Sequence, residues 1–365
     1  MKGSLARTLL ALALAAVLIC IMLVALGASP INVALAFWEG AFGTWLALTD
    51  TLTKSTPLLF CGLAIAVAFE GALWNIGADG QLLAGAMSAG ALGPMLSAWP
   101  HPLAVLAMLL AGAGGGALWG GTAGWLRARR QVNEVISTIM LNFVAAQILS
   151  WLVHGPLIER SHAYPISLPI APAAELRLYF RPSRLNFGML LAISCAAACY
   201  ALLYHTEKGL ELRAMGRNRR ACEFSGINTA ELTVCAMALS GALAGLGGAT
   251  QVTAITHRLY ESFSPGWGYE AIAVALIARL NALAMVPSAI VFGALDNGAQ
   301  AMQRTQGISP VLVQVIEGAV IMVLLALDAT GRQGLGRTLK GPMSQAKKAT
   351  DDVSVESVSQ LEAWR

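Results

Sequence analysis

Apolar runs of about 20 residues, the length a helix needs to cross the hydrocarbon core of a bilayer, recur along nearly the whole chain. Repetition at that length points to spanning helices and not to a barrel of short alternating strands. Composition agrees. Hydrophobic residues make up 56% and charged residues 12% of the 365 positions, with a mean hydropathy of +0.64. That leaves too little polar surface to cover a soluble globule of this size. The chain reads as an all-α integral membrane protein. Its net charge of +4 says little about partners, because the basic residues sort by loop, and nucleic acid is not an expected ligand.

Lys2 and Arg7 precede an apolar run over residues 8–27. A secretory apolar core is about 7–15 residues long, so this run reads as an uncleaved first helix within residues 1–30, with cleavage near Ala28 as the alternative. Residues 31–54 carry Phe37, Trp38, Phe42 and Trp45 among few charges, which suits an external interfacial segment. Spans are expected at 56–71, 81–98, 103–126, 132–153, 187–204, 232–256, 286–302 and 310–327, with 269–277 as a short re-entrant piece. Ser309 and Pro310 mark the start of the last one. The third of these spans carries Gly112, Gly116, Gly120 and Gly124, a four-residue period that lays a glycine groove along one face, and Gly241, Gly245 and Gly248 line a later span. Such grooves let helices approach closely.

Five prolines (Pro156, Pro165, Pro169, Pro172, Pro182) keep residues 155–186 from forming one helix, so this stretch is expected to be an external loop. The layout has about ten transmembrane helices, broken or re-entrant segments, and both termini cytoplasmic. It divides into an N-terminal helix (1–30), the external segment (31–54), a transmembrane domain (55–328) and a polar cytoplasmic tail (329–365). Most lysines and arginines then fall inside, with Arg160, Arg177, Arg181 and Arg184 as the exception.

Charges at membrane depth usually face a cavity or a partner. Here they are Glu70, Asp79, Glu134, Glu270, Asp296 and Glu317, with Asn75, Gln81, Asn142, Asn297 and Gln300 as neutral company. Glu70 and Asp79 frame GALWNIGADGQ, where Gly71, Gly77 and Gly80 interrupt a helix and turn polar backbone toward protein or water. Trp74 and Asn75 within it are candidates for packing or for a substrate pathway. The alternative for the two acids is ordinary water at the ends of adjacent spans.

Residues 206–230 form the one long basic insert, with Lys208, Arg213, Arg217, Arg219 and Arg220. Asn218 suits an N-cap and Gly226 a C-terminal stop, bracketing about two turns of helix on which Ala221 and Phe224 share a face. The alternative is a solvated loop whose arginines fix topology.

No H-E-x-x-H, G-x-S-x-G or P-loop motif occurs, so the chain is not expected to be an enzyme or to bind ATP by a P-loop of its own. The run beginning at Gly112 matches a dinucleotide fingerprint by letter, but no strand precedes it. The cysteines show no disulfide or metal spacing, and Cys195 and Cys199 read as packing residues on one helix face.

Taken together, GALWNIGADGQ, NEVISTIMLNF with the nearby HGPL, KGLELRAMGRNRRACEFSGIN followed by SGALAGLGGA, and GWGYEAIAVALIARLNALAMVPSAIVFGALDNGAQAMQ cover most of residues 55–327 in order. These blocks resemble the permease subunits of bacterial ABC importers for nucleosides, which group with ribose and branched-chain amino-acid permeases. The resemblance implies a multi-pass protein of the bacterial inner membrane, built of ten helices. Its implied partners are a second permease, identical or homologous, ABC ATPase subunits that bind ATP and Mg, and a substrate-binding lipoprotein or periplasmic protein. This chain itself is expected to hold no cofactor and no metal.

The resemblance also implies that Gly216, Arg217, Asn218, Arg219, Arg220, Ala221, Phe224 and Gly226 form the coupling helix seated on an ATPase. Glu134, Ser137, Thr138 and Asn142, repeating at three and four residues, become a pathway-lining face, joined by Trp74, Asn75 and Glu270. Such hydroxyls and amides also glue helices together. The chain departs from the family pattern at Asp296-Asn297 and at Arg219-Arg220. The substrate class implied is a nucleoside, most simply a purine nucleoside. Simple sugars or branched-chain amino acids are alternatives, as is a proton-coupled secondary transporter using Glu70, Glu270 or Asp296.

Overall fold

The long apolar runs are helices in the computed structural model, which describes residues 24, 29–160, 164–177, 183–307, 315 and 318. Apart from single positions, the expected first span, last span and polar tail lie outside the described residues, as do Arg181 and Glu317. The unit that carries the described fold runs from Ile31 to Val313.

Its helices are α1 (Pro30–Trp38), α2 (Trp45–Glu70), α3 (Ala78–Leu92), α4 (His101–Arg130), α5 (Glu134–His154), α6 (Phe187–His205), α7 (Glu207–Arg217), α8 (Arg219–Phe224), α9 (Thr229–Gln251), α10 (Trp267–Ile277) and α11 (Met285–Gln306). Among the described residues there is no β-strand, only two isolated bridges. Among the described residues five helices are long and apolar enough to cross a membrane: α2, α4, α5, α6, and α9 with its wider last turn to Thr256. Short polar side chains start most of them. Thr44, Asn133, Asn186, Thr206, Asn218 and Asn228 each accept a hydrogen bond from an amide in the first turn that follows, satisfying donors that have no partner within the helix.

By sequence, residue 54 ends an external segment and a span begins near Thr56. Instead α2 runs unbroken from Trp45 to Glu70, and Lys54 lies within it, paired with Asp296 of α11 at 3.2 Å. Asn297 donates from Nδ2 to the Gly40 and Ala47 carbonyls and to Thr51 Oγ1 (2.9–3.1 Å). These bonds tie the turn after α1 and the start of α2 to α11, so the span begins earlier than its most apolar stretch. The basic insert, read as a loop around two helical turns, holds a further helix, α7.

The centre of the bundle is built on glycine. Gly112, Gly116, Gly120 and Gly124 are buried along α4; the first three face Gly241 and Gly245 of α9, and Gly124 faces Val234 and Met237. A Cβ on Gly116 would overlap the Gly241 carbonyl oxygen, and one on Gly245 the Gly112 carbonyl oxygen. Gly85 of α3 meets the Gly245 backbone from a third side, and Gly248 meets the Leu82 carbonyl. Lipid offers no hydrophobic drive for helices to associate, so van der Waals contact of this closeness must hold α3, α4 and α9 together.

Two helices packed within the bundle, α3 and α10, are too short to span. From Ala78, α3 runs for 15 residues, and α10 has 11. The expected span at 81–98 is therefore a partial element, like the short piece expected at 269–277, and the N-termini of the two helices meet at the same place in the bundle. Over one end of α3 folds the proline-rich segment: Ala171 N donates to the Gly93 carbonyl, Ile170 packs on Gly93, and Ser167 exchanges hydrogen bonds with Leu259.

Candidate functional site

At the basic end of the bundle the chain leaves α6, turns at Thr206 and builds α7 and α8 as an elbow. Asn218 serves both: its amide closes α7 on the Ala214 carbonyl at 3.0 Å, and its Oδ1 accepts from Ala221 N at 3.1 Å to start α8. The helix stops where Gly226 takes φ of +81°, a left-handed conformation that glycine adopts without a Cβ clash. The bracketing by Asn218 and Gly226 is as the residues imply.

Phe224 stands 92% exposed at the tip of the elbow, with Ala221 and Arg220 open beside it. Arg219 Nε reaches Glu223 at 3.2 Å, and Thr229 Oγ1 donates to the same carboxylate at 2.8 Å. The Thr229 hydroxyl first, then Arg219, hold the Glu223 carboxyl below its usual range. A cleft of about 350 Å³ separates the two helices, lined by Arg213, Arg217 and Asn218 among others.

On its inner side the elbow bears on the end of α2. A Cβ on Gly216 would overlap the Glu70 carbonyl oxygen, and Leu212 and Met215 lie against Gly71. Glu70 sits among Arg213, Arg217 and the Tyr204 hydroxyl, while the Arg213 guanidinium lies 4.8 Å from the centre of the Tyr204 ring. Gly216 is thus a backbone contact between the elbow and the start of the helix interruption.

The interruption itself follows. Ala72 takes a left-handed φ of 53°, and residues 73–77 are non-helical before α3 begins. Asn75 is fully buried and spends its amide on four hydrogen bonds. Nδ2 donates to Gln81 Oε1 (3.0 Å) and Ser240 Oγ (2.8 Å), and Oδ1 accepts from Gly77 N (2.9 Å) and Gln81 Nε2 (3.1 Å). Ser240, midway along α9, donates onward to the Ala64 carbonyl of α2 at 2.6 Å.

The face of α5 chosen by spacing lies against this break. Thr138 Oγ1 donates to the Glu134 carbonyl and accepts from Ile76 N; Asn142 donates to the Ile76 carbonyl and to the Tyr269 hydroxyl (both 2.9 Å) and accepts from Gly80 N (2.8 Å). Ser137 bonds to the Glu134 carbonyl, and the Glu134 side chain pairs with Arg127 at 3.1 Å. Thr138 and Asn142 satisfy backbone that the interruption leaves without helical partners.

Trp74 is exposed, its ring 4.9 Å from that of Phe69, and Glu270 is half-buried in the first turn of α10. Trp74, Asn75, Thr138 and Asn142 thus belong to one neighbourhood, while the elbow residues form another. Gln81, which completes the Asn75 network, is legible in the sequence only as a polar residue at membrane depth, and Ser240, which joins that network, and Tyr269, which receives Asn142, are not singled out by their spacing.

Because Asn75 holds three buried partners, its replacement by leucine orphans several polar groups at once, each costing about 1–3 kcal/mol. Asn75→Leu is expected to lower the melting temperature of the purified chain in detergent by several degrees or prevent its folding. An unchanged melt would show that the network contributes little.

Residues 47–325 match the model of the permease component of branched-chain amino acid transport systems. The chain belongs to that permease family. It is 32% identical over 311 residues to the guanosine ABC transporter permease of Bacillus subtilis, covering 84% of this chain and 88% of that one. Against the nucleoside ABC transporter permease of Lactococcus lactis the identity is 30% over 313 residues, with 83% and 86% covered. The glucose ABC transporter permease of Haloferax volcanii is 31% identical over 328 residues, with 87% and 86% covered. No solved structure matches the chain.

As an ABC permease, a multi-pass subunit that is not itself an enzyme, this protein offers two distinct features: a protruding, capped elbow and an interruption sealed by polar side chains. Among the described residues no cluster of His, Cys, Asp and Glu has metal-site geometry.

Proposed function

We propose that this permease moves nucleosides, most simply purine nucleosides, inward across the bacterial inner membrane by alternating access. ABC ATPase subunits on the cytoplasmic side bind ATP and Mg and supply the power. A second permease, identical or homologous, completes the route, and a substrate-binding lipoprotein or periplasmic protein delivers the cargo. In this reading the full chain has about ten transmembrane helices with both termini cytoplasmic, the transmembrane domain covers residues 55–328, and α8 with its flanks (Gly216 to Gly226) is the coupling segment.

One observation carries the substrate class: kinship over most of the chain to permeases named for guanosine and for nucleosides, at 30–32% identity. Exposed Phe224 on a helix with both ends capped supports the coupling role, because an aromatic anchor held on a rigid support is what a partner's groove can grip. The Haloferax relative named for glucose keeps a simple sugar as the second reading. A self-contained proton-coupled transporter has little support, since the chain belongs to an ABC family and Asp296 is already paired with Lys54.

For the pathway, the open positions are Trp74 and the half-buried Glu270, whereas Asn75, Thr138 and Asn142 shape the break behind them, Ser137 bonds within its own helix and Glu134 pairs with Arg127. The deciding experiment is uptake of radiolabelled guanosine by cells expressing the chain with its neighbouring ATPase and binding protein. Uptake is expected to vanish with a catalytically dead ATPase and to be competed by unlabelled nucleosides but not by glucose, ribose or leucine. Competition by glucose alone would return the substrate to the sugars.

A further inference from the structure

We propose that Asp79 is a positioning residue for transport, the shared cap that holds the first turns of α3 and α10 together as one moving piece. The inference rests on the permease activity of the chain and concerns how its two short helices are joined.

Asp79 lies in the first turn of α3. Its Oδ1 accepts from Ser264 Oγ at 2.7 Å and from the Gly268 amide at 3.1 Å, and Gly268 is in the first turn of α10. Ser264 Oγ in turn accepts from Gly266 N at 3.2 Å. The two backbones touch here: a Cβ on Gly268 would overlap the amide nitrogen of Asp79. Gly266, the residue before α10, takes φ of +110°, which lets the chain turn sharply into the joint.

Both bonds to Asp79 Oδ1 come from neutral donors, a hydroxyl and a backbone amide. Its carboxyl group lies at the N-termini of two helices, whose unpaired amides and aligned dipoles favour an acceptor. Neither helix can satisfy these ends alone, and non-helical backbone at this depth is tolerated only where protein or a cavity covers it. The far side of the joint is closed by Asn142, which donates to both the Ile76 carbonyl before α3 and the Tyr269 hydroxyl on α10. Asp79 and Asn142 therefore clamp α3 to α10 from two sides, and the 43% exposed ring of Tyr269 is held in place between these contacts. Asp79 acts through this geometry and does not touch the cargo.

The test has two arms. In guanosine uptake, Asp79→Ala is expected to lower the maximal rate at least tenfold while KM stays within twofold. Asp79→Asn, whose amide oxygen accepts the same two bonds, should recover to within threefold of the unmodified chain. Ser264→Ala should fall between them, and the Asp79→Ala/Ser264→Ala double variant should be no worse than Asp79→Ala, as for two groups acting as a unit.

The second arm needs no substrate. Hydrogen exchange in the purified chain should speed up at least tenfold for the peptide covering residues 264–272 in Asp79→Ala and stay unchanged in Asp79→Asn. Normal uptake with normal exchange in Asp79→Ala would overturn the proposal, as would a raised KM at constant maximal rate, which would make Asp79 a substrate contact. If the unmodified chain carries no guanosine, the substrate reading fails, and exchange alone decides: unchanged exchange in Asp79→Ala overturns the joint, and the expected acceleration upholds it.

Discussion

Gly116→Leu is expected to remove the folded permease from the membrane, whereas Gly114→Leu, two residues away on the same helix, is expected to leave it intact. The difference is one of geometry. At Gly116 a Cβ meets the Gly241 carbonyl oxygen and the Gly245 backbone, atoms that cannot rotate away, whereas at Gly114 nothing lies within 4 Å. Forcing one extra methylene into a packed interior costs typically about 1–3 kcal/mol even when side chains can yield. An isobutyl group between two backbones leaves nothing to yield but the helices themselves.

Separating α4 from α9 would also pull each away from α3, since Gly85 and Gly248 use the same close approach. Yield of monodisperse chain in detergent should fall at least tenfold for Gly116→Leu and by less than twofold for Gly114→Leu. Equal yields would mean that the glycine contacts do not hold the bundle.

That groove was legible in the sequence because helical spacing of identical small residues has one simple cause, close helix approach, and both partners carry it. Caps were legible for a similar reason: Asn218 and Gly226 act on their own neighbours in the chain. The polar face of α5 shows where such reasoning stops. Spacing places Glu134, Ser137, Thr138 and Asn142 on one side of a helix, but what that side meets is decided by a segment about 60 residues away, and it meets the interruption at 75–80.

Hydroxyls that would suit a polar route also suit unpaired backbone, and local sequence cannot separate the two uses. The start of α2 was hidden for another reason. Lys54 and the threonines before it read as an external interfacial segment until Asp296 and Asn297, some 240 residues later, supply their partners. Asp79 likewise reads as the end of a span in water until Ser264 and Gly268 are brought to it.

Phe224→Asp should cost more activity than any other surface change in this chain, and without loss of stability. Phe224 is 92% exposed among the described residues, so removing its ring costs the fold little. Aromatic anchors of this kind are each worth about 2 kcal/mol or more in a protein interface, equivalent to about 30-fold in affinity. Association with the partner ATPase and coupled uptake should therefore fall by that order while the melting temperature stays put.

Gly216→Ala separates grip from transmission. Position 216 lies on the inner side of the elbow, so the ATPase still binds, but the methyl group overlaps the Glu70 carbonyl and shifts α7 away from the turn at Gly71 and Ala72. From that turn the hydrogen bonds of Asn75 lead to α3, α9 and α2. The expected result is a complex that assembles and hydrolyses ATP yet takes up substrate at least tenfold more slowly. Normal uptake in Gly216→Ala would show that the stroke enters elsewhere, and normal ATPase binding by Phe224→Asp would remove α8 as the docking point.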